Sequence, residues 1–230
     1  MTDRGGPQRI PTPEASRPGG PPPWPVPAAR PVSVADVAAS LEVYEPVEIV
    51  RGPPTERPSR PGRRSAVLIA IYDGPDGATT ILTRRPQHMR KHAGEIAFPG
   101  GAIDDDDASP WAAALREADE EVAMPRDLPR QLGQLDRFIT GASFSLVTPF
   151  VAALDDVPEL VAAPAEVDRI LRVPLVELME PGVYREELWT RDDREHSIHF
   201  FDLVGETVWG ATALMLHRLL ELVAVPDSTP

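Results

Sequence analysis

Glu117, Glu120 and Glu121 stand in the stretch "FPGGAIDDDDASPWAAALREADEEVAM" (Phe98–Met124), which also holds Gly100–Gly101 and four consecutive aspartates. On a helix, spacings of three and four bring these glutamates onto one side. Like charges so placed destabilise an isolated helix by roughly 0.2–0.5 kcal/mol per pair. No lysine or arginine follows one turn later to relieve them, and Glu121 lies toward the negative end of the helix dipole. A hard divalent cation such as Mg2+ resolves the repulsion, because it takes carboxylate oxygens and bridges to substrate phosphates. Taken alone, the run also suits a solvated acidic face. Two neighbours favour a metal site. Gly100 and Gly101 allow backbone to approach a ligand closely, and Arg116 is placed to pair with the aspartates and fix the helix against the loop.

Immediately upstream, the window Arg84–His92 carries Arg84, Arg85, Arg90 and Lys91 and no acid, in a chain whose formal net charge is −13. A basic island leading straight into glycines and glutamates suits a substrate with several phosphates, although it also reads as ordinary surface charge. His88 and His92 lie in the same window and read first as structural hydrogen-bonding residues, with a catalytic role as the alternative for His92.

The glutamates need a rigid support, and the pattern supplies one. Ser109–Pro110 is an N-cap followed by proline at the first helical position, and it predicts a helix running to about Val122. Trp111, Leu115, Ala118 and Val122 form its predicted core stripe, with the glutamates on the side away from it. Upstream, "SAVLIAIY" and "TTILTR" flank the turn sequence "DGPDGA" and predict a hairpin, and "EIAF" predicts a further short strand. Downstream, "LGQLDRFIT", "FSLVTPFVAAL" and "VDRILRVP" read as strands and "LVELME" as a short helix. A hairpin over "LWTRDD" and "HSIHFFDL" follows, and an amphipathic helix over Trp209–Ala224 closes the chain. Strands mixed with two substantial helices predict an α+β fold, of the α/β/α sandwich kind.

The N-terminal residues 1–32 are rich in Pro, Gly and Arg and predict a disordered or extended tail, with a short helix capped by Ser33 and Asp36 after it. A second polar connector, "TERPSRPGRR", precedes the hairpin. The strong negative charge disfavours duplex nucleic acid as a partner. No apolar run approaches bilayer length, and the absence of cysteine excludes disulfides, thiolate nucleophiles and Cys-ligated zinc. These features suit a soluble cytoplasmic protein.

The residues resemble the Nudix box, G-x5-E-x7-R-E-U-x-E-E-x-G-U with U aliphatic. Gly101 is followed after five residues by Asp107, then by "READEEVAM" from Arg116. Asp107 stands where Glu is usual, eight residues rather than seven precede Arg116, and Ala123 replaces the late glycine. The chain is similar to the coenzyme A diphosphatase branch in "ALREADEE" and in the upstream element "ILTRRPQHMRKHAGEIAFPGG", where Pro86 replaces the usual serine. The resemblance covers roughly residues 65–220.

It implies a Nudix-type sandwich with a mixed β-sheet between helices, occupying residues 65–225. A helix and linker over 33–64 would precede it, with tails at 1–32 and 226–230. The implied reaction is Mg2+- or Mn2+-dependent hydrolysis of the diphosphate of coenzyme A, or its derivatives, to 3′,5′-ADP and 4′-phosphopantetheine. Glu117, Glu120 and Glu121 would hold metal. Glu120, ahead of an acid near Glu166, would serve as base, with Glu117 and Arg116 completing the catalytic group. Arg85, Arg90, His92, Gly100 and Gly101 would meet the substrate. Action on NADH, ADP-ribose or a nucleoside triphosphate, or a non-catalytic nucleotide-sensing module, are the alternatives. The implied partner is a small molecule, neither nucleic acid nor membrane, and a homodimer is among the assemblies allowed.

Overall fold

The computed structural model describes residues 4–28, 30–49, 62–89, 92–140, 144–191 and 193–224. In chain order its first elements are β1 (Ser16–Pro18), α1 (Val34–Glu42), β2 (Glu48–Ile49), β3 (Arg64–Gly74), β4 (Gly77–Arg84), β5 (Ile96–Ala97) and β6 (Gly100–Ala102). Next come α2 (Pro110–Val122), β7 (Arg130–Gln134), β8 (Arg137–Ile139), β9 (Leu146–Ala153), β10 (Arg169–Pro174) and α3 (Leu175–Leu178). The last are β11 (Tyr184–Arg191), β12 (Arg194–Leu203), β13 (Glu206–Trp209) and α4 (Gly210–Ala224).

The apolar run in β3 makes it the central strand, because only a strand covered on both faces can be apolar at consecutive positions. It pairs antiparallel with β4 and parallel with β9, in a mixed sheet ordered β10-β4-β3-β9-β8-β2. β5, β6 and β7 add to β4, β3 and β9. Alternate β3 side chains feed two cores. Ala66, Leu68 and Ala70 pack with Ala113, Ala114, Ala118 and Val122 of α2. Ile69 and Ile71 face the other way, into a core shared with α1, α3, α4 and the second sheet, β1-β11-β12-β13. Helices therefore cover both faces of the mixed sheet, as the α+β sandwich reading expects.

The core face of α2 is rotated from the predicted stripe. Ala113, Ala114, Ala118 and Val122 are buried, whereas Trp111 and Leu115 are only partly covered at its margin. Small residues let the helix backbone sit close to Ala66 and Ala70, with the Glu117 carboxyl beside Gly101 of β6. The start of α2 agrees with expectation: Ser109 Oγ accepts from the Ala112 amide at 3.1 Å, with Pro110 in the first turn. At its end Ala123 takes a left-handed conformation (φ 54°, ψ 37°), which explains why a glycine is usual there. Ala123→Gly is expected to stabilise the protein by about 0.5–1 kcal/mol, read as a melting temperature higher by about 1–4 °C.

The hairpin and the predicted short helices form where expected, and Ser33 and Asp36 make a reciprocal capping box at α1. "LGQLDRFIT" divides into β7 and β8 at Leu135–Asp136, where the Asp136 carboxylate accepts from the Tyr44 hydroxyl and the Val47 amide. The Trp209 end of the predicted last helix is a strand, β13, paired with β12. Most of the connector at 55–64 lies outside the described residues.

The predicted disordered tail is corrected. Residues 4–28 lie across the second sheet: Gly5 bridges Val204, and β1 pairs antiparallel with β11. Trp24 is 3% exposed and packs on Tyr184, Phe201 and His217, with ring centroids 5.1, 6.3 and 5.3 Å away. Averaged composition hides this, since one tryptophan buries more apolar area than several small residues. Prolines between anchors need no ladder of their own.

Candidate active site

Arg116 organises the loop between β6 and α2. Its Nε and Nη2 donate to the two oxygens of Asp107, each at 3.0 Å, and Nη2 also reaches the Ala102 carbonyl at 2.9 Å. The bidentate bond holds the Asp107 carboxyl below its ordinary value. Asp107 in turn accepts from the Asp104 amide at 2.9 Å. Arg116 thus clamps loop to helix, as the sequence predicts.

The same guanidinium also corrects the expectation that no cation relieves the glutamates. Its Nη1 donates to Glu117 at 2.9 Å and to Glu120 at 3.1 Å. Glu121 receives no such help. It is 3% exposed rather than on a solvated face, and one carboxylate oxygen, Oε2, is buried with no hydrogen-bond partner. Burial pushes its pKa up to about 8. The charge of Arg85 and a hydrogen bond from the Gly100 amide oppose this, while Glu117 and Glu166 reinforce it. Glu117 is likewise raised, first by burial, with Glu120 and Glu166 adding repulsion.

The loop after β9 brings Glu166 here. The amides of Ala163 and Val161 donate to the carbonyls of Glu121 and Val122, at 2.9 and 3.0 Å. These bonds satisfy the end of α2 and dock the loop on it.

Gly101 has a clear steric role. A Cβ there would lie 2.4 Å from the Glu117 carboxyl carbon, so the missing side chain makes room for that acid. At Gly100 a Cβ would meet the Ala66 carbonyl oxygen at 2.5 Å, within the β3–β6 pairing. In the direction a Cβ would take, both glycines meet protein.

The basic island divides. Arg84 is tied to Asp168 at 2.6 Å and to buried Glu206 at 2.6 Å, so it is an internal ion pair. Arg85 lies near enough for Glu121 to feel its charge. His92 is half exposed and bonded to Glu95 at 2.8 Å. Arg90, like Lys91, lies outside the described residues. The structure therefore brings together Arg85, Glu117, Glu121 and Glu166, with Glu120 and Arg116 alongside.

A divalent cation suits this set by donor chemistry, since Glu121 is buried, is repelled by Glu117 and Glu166, and leaves one carboxylate oxygen without a hydrogen-bond partner. As they stand, no three His, Asp or Glu groups among the described residues converge at ion-binding distance. Glu117 and Glu120 are engaged by Arg116. Sequence reasoning missed one further network, from Gln8 to Glu206 and Arg84. Gln8 and Glu206 lie 198 residues apart in sequence and Arg84 and Glu206 lie 122 apart, and no local pattern announces the network.

The NUDIX domain family model matches residues 62–203. The chain is similar to the uncharacterized Nudix hydrolase NudL of Photorhabdus laumondii, with 40% identity over 194 residues, covering 84% of this chain and 100% of the relative. It is 36% identical to the NudL of Yersinia pestis over 73% of this chain and 83% of that one. Among solved structures, a MutT/nudix family protein from Enterococcus faecalis matches at 15% identity and a TM-score of 0.48, over 82% of this chain and 68% of that one.

Proposed function

The chain belongs to the NUDIX domain family, and from that membership we propose that it is a coenzyme A diphosphatase. It hydrolyses the diphosphate of coenzyme A, or of its derivatives, to 3′,5′-ADP and 4′-phosphopantetheine. The observation that carries the hydrolytic part is Glu121, buried, unpartnered on one oxygen and flanked by Glu117 and Glu166 while Arg85 faces it. The substrate assignment rests on the resemblance of Ile81–Gly101 to the upstream element of that branch.

Glu117 and Glu121, with Glu120, would hold Mg2+ or Mn2+. When bound, the ion supplies charge neutralisation at the diphosphate oxygens and acidifies water. The rest belongs to the chain's own groups. Arg85, which follows β4 and lies near enough for Glu121 to feel its charge, would bind phosphate oxygens. Water attacks one phosphorus, the bridging P–O bond breaks, and the water proton passes to Glu120. Glu120 suits that task because its side chain is 53% exposed, against 15% for Glu117, and Arg116 fixes its position. Arg116 acts as a positioning residue for Glu117 and Glu120 alike.

Incubation with coenzyme A and Mg2+ is expected to yield 3′,5′-ADP and 4′-phosphopantetheine by mass spectrometry. In a panel with NADH, ADP-ribose and nucleoside triphosphates, coenzyme A is expected to give the highest kcat/KM. A clear preference for ADP-ribose would remove the branch assignment.

A further inference from the structure

Gln8 sits in the N-terminal segment, far in sequence from any catalytic motif, yet it is 8% exposed and both ends of its amide are used. Its Nε2 donates to the Gly94 carbonyl at 3.1 Å and to Glu206 Oε2 at 2.6 Å. Its Oε1 accepts from the Thr207 amide at 2.8 Å. Both acceptors lead to the basic segment at the end of β4. The Gly94 amide donates to the Arg85 carbonyl at 3.1 Å, and the Arg85 amide donates to the Glu95 carbonyl at 2.9 Å. Gln8 therefore grips the peptide that closes the base of the turn starting at Arg85. On the other arm, Glu206 accepts from Arg84 at 2.6 Å through its second oxygen.

The geometry points to Gln8 as a positioning residue that holds Arg84–Arg85 and the returning residues 94–95 in place against α2. This rests on Arg85 binding substrate phosphate, as proposed above. A neutral amide is the group the position requires. It must donate to the buried carboxylate of Glu206, 1% exposed, and accept from a backbone amide at once. A carboxylate at position 8 would face Glu206 with like charge, and an apolar side chain would leave three buried groups unpaired. The local chain is built around this contact: a Cβ at Gly6 would lie 2.2 Å from Gln8 Oε1.

The test compares full-length Gln8→Leu and the shorter Gln8→Asn with wild type. Hydrogen exchange on substrate-free protein should speed about tenfold for amides over residues 94–97, with the α2 amides unchanged. With coenzyme A and Mg2+, KM should rise about tenfold while kcat stays within about twofold. Arg17→Ala, in the same segment but bonded only to exposed Glu195, should alter neither readout. Wild-type exchange and KM in Gln8→Leu would overturn the inference. So would uniformly faster exchange across the molecule, or failure of both variants to fold, because either gives Gln8 a merely structural role. If wild-type protein cleaves no diphosphate, the proposed function falls, while the exchange arm still decides the case of Gln8.

Discussion

Glu121→Gln is expected to lower metal-dependent kcat/KM by about a thousandfold or more and, in the same variant, to raise the stability of the metal-free protein. The first effect follows from the proposed role of Glu121 as a carboxylate for the ion, since ion-centred charge stabilisation amounts to several kcal/mol at about 1.4 kcal/mol per tenfold. The second follows from burial. A carboxyl whose folded pKa is raised from 4.5 to about 8 binds more protons folded than unfolded. Its contribution to stability is therefore full below about pH 4.5, falls as pH rises toward 8, and is level beyond. At pH 8 the glutamine variant should be more stable by roughly 4 kcal/mol, or about 8–16 °C in melting temperature. At pH 5 the two proteins should melt close together. For wild type, Mg2+ binding at pH 7 should release close to one proton, measurable by calorimetry in buffers of different ionisation enthalpy. Full turnover by the variant with no pH-dependent difference in melting would remove Glu121 from the site.

The helix, its N-cap and the crowding of its acids were legible because they are local: spacing, cap chemistry and charge lie within one stretch. The partition among those acids was not. Glu120 and Glu121 are adjacent in sequence and chemically identical, yet one is largely exposed and the other buried. The difference arises from three alanines that let α2 settle onto Ala66 and Ala70. Arg116 was read as the loop clamp, but its reach to Glu117 and Glu120 depends on rotamers that spacing does not specify. Glu166 could be named only as a candidate, because its place is set by two backbone bonds from a loop to the end of α2.

The N-terminal residues give the second large effect. Removal of residues 1–32 is expected to destabilise the domain severely, leaving little soluble protein at 37 °C, and Trp24→Ala alone should cost about 3–5 kcal/mol. Tail-like composition argues for no effect, and the structure reverses that expectation. Truncation uncovers Tyr184, Phe201 and His217 and strips β1 from the edge of β11, leaving unpaired backbone groups on an eight-residue strand. Thermal melts and size-exclusion profiles of the truncated and substituted proteins provide the check. A truncated protein that is monomeric and melts with wild type would show that the second sheet stands without its cover.

The close fit of Gly101 to the Glu117 carboxyl reaches beyond any one molecule. A residue with no functional group shares the evolutionary fate of an acid sixteen positions further on, since even one added methyl displaces it. Drift at either site is then epistatic with the other: shortening the acid would relax the steric constraint on the glycine but remove the carboxylate proposed to hold metal. Descendants that have abandoned hydrolysis should therefore lose the glycine soon after the glutamate, leaving a two-residue trace of the order in which the activity decayed.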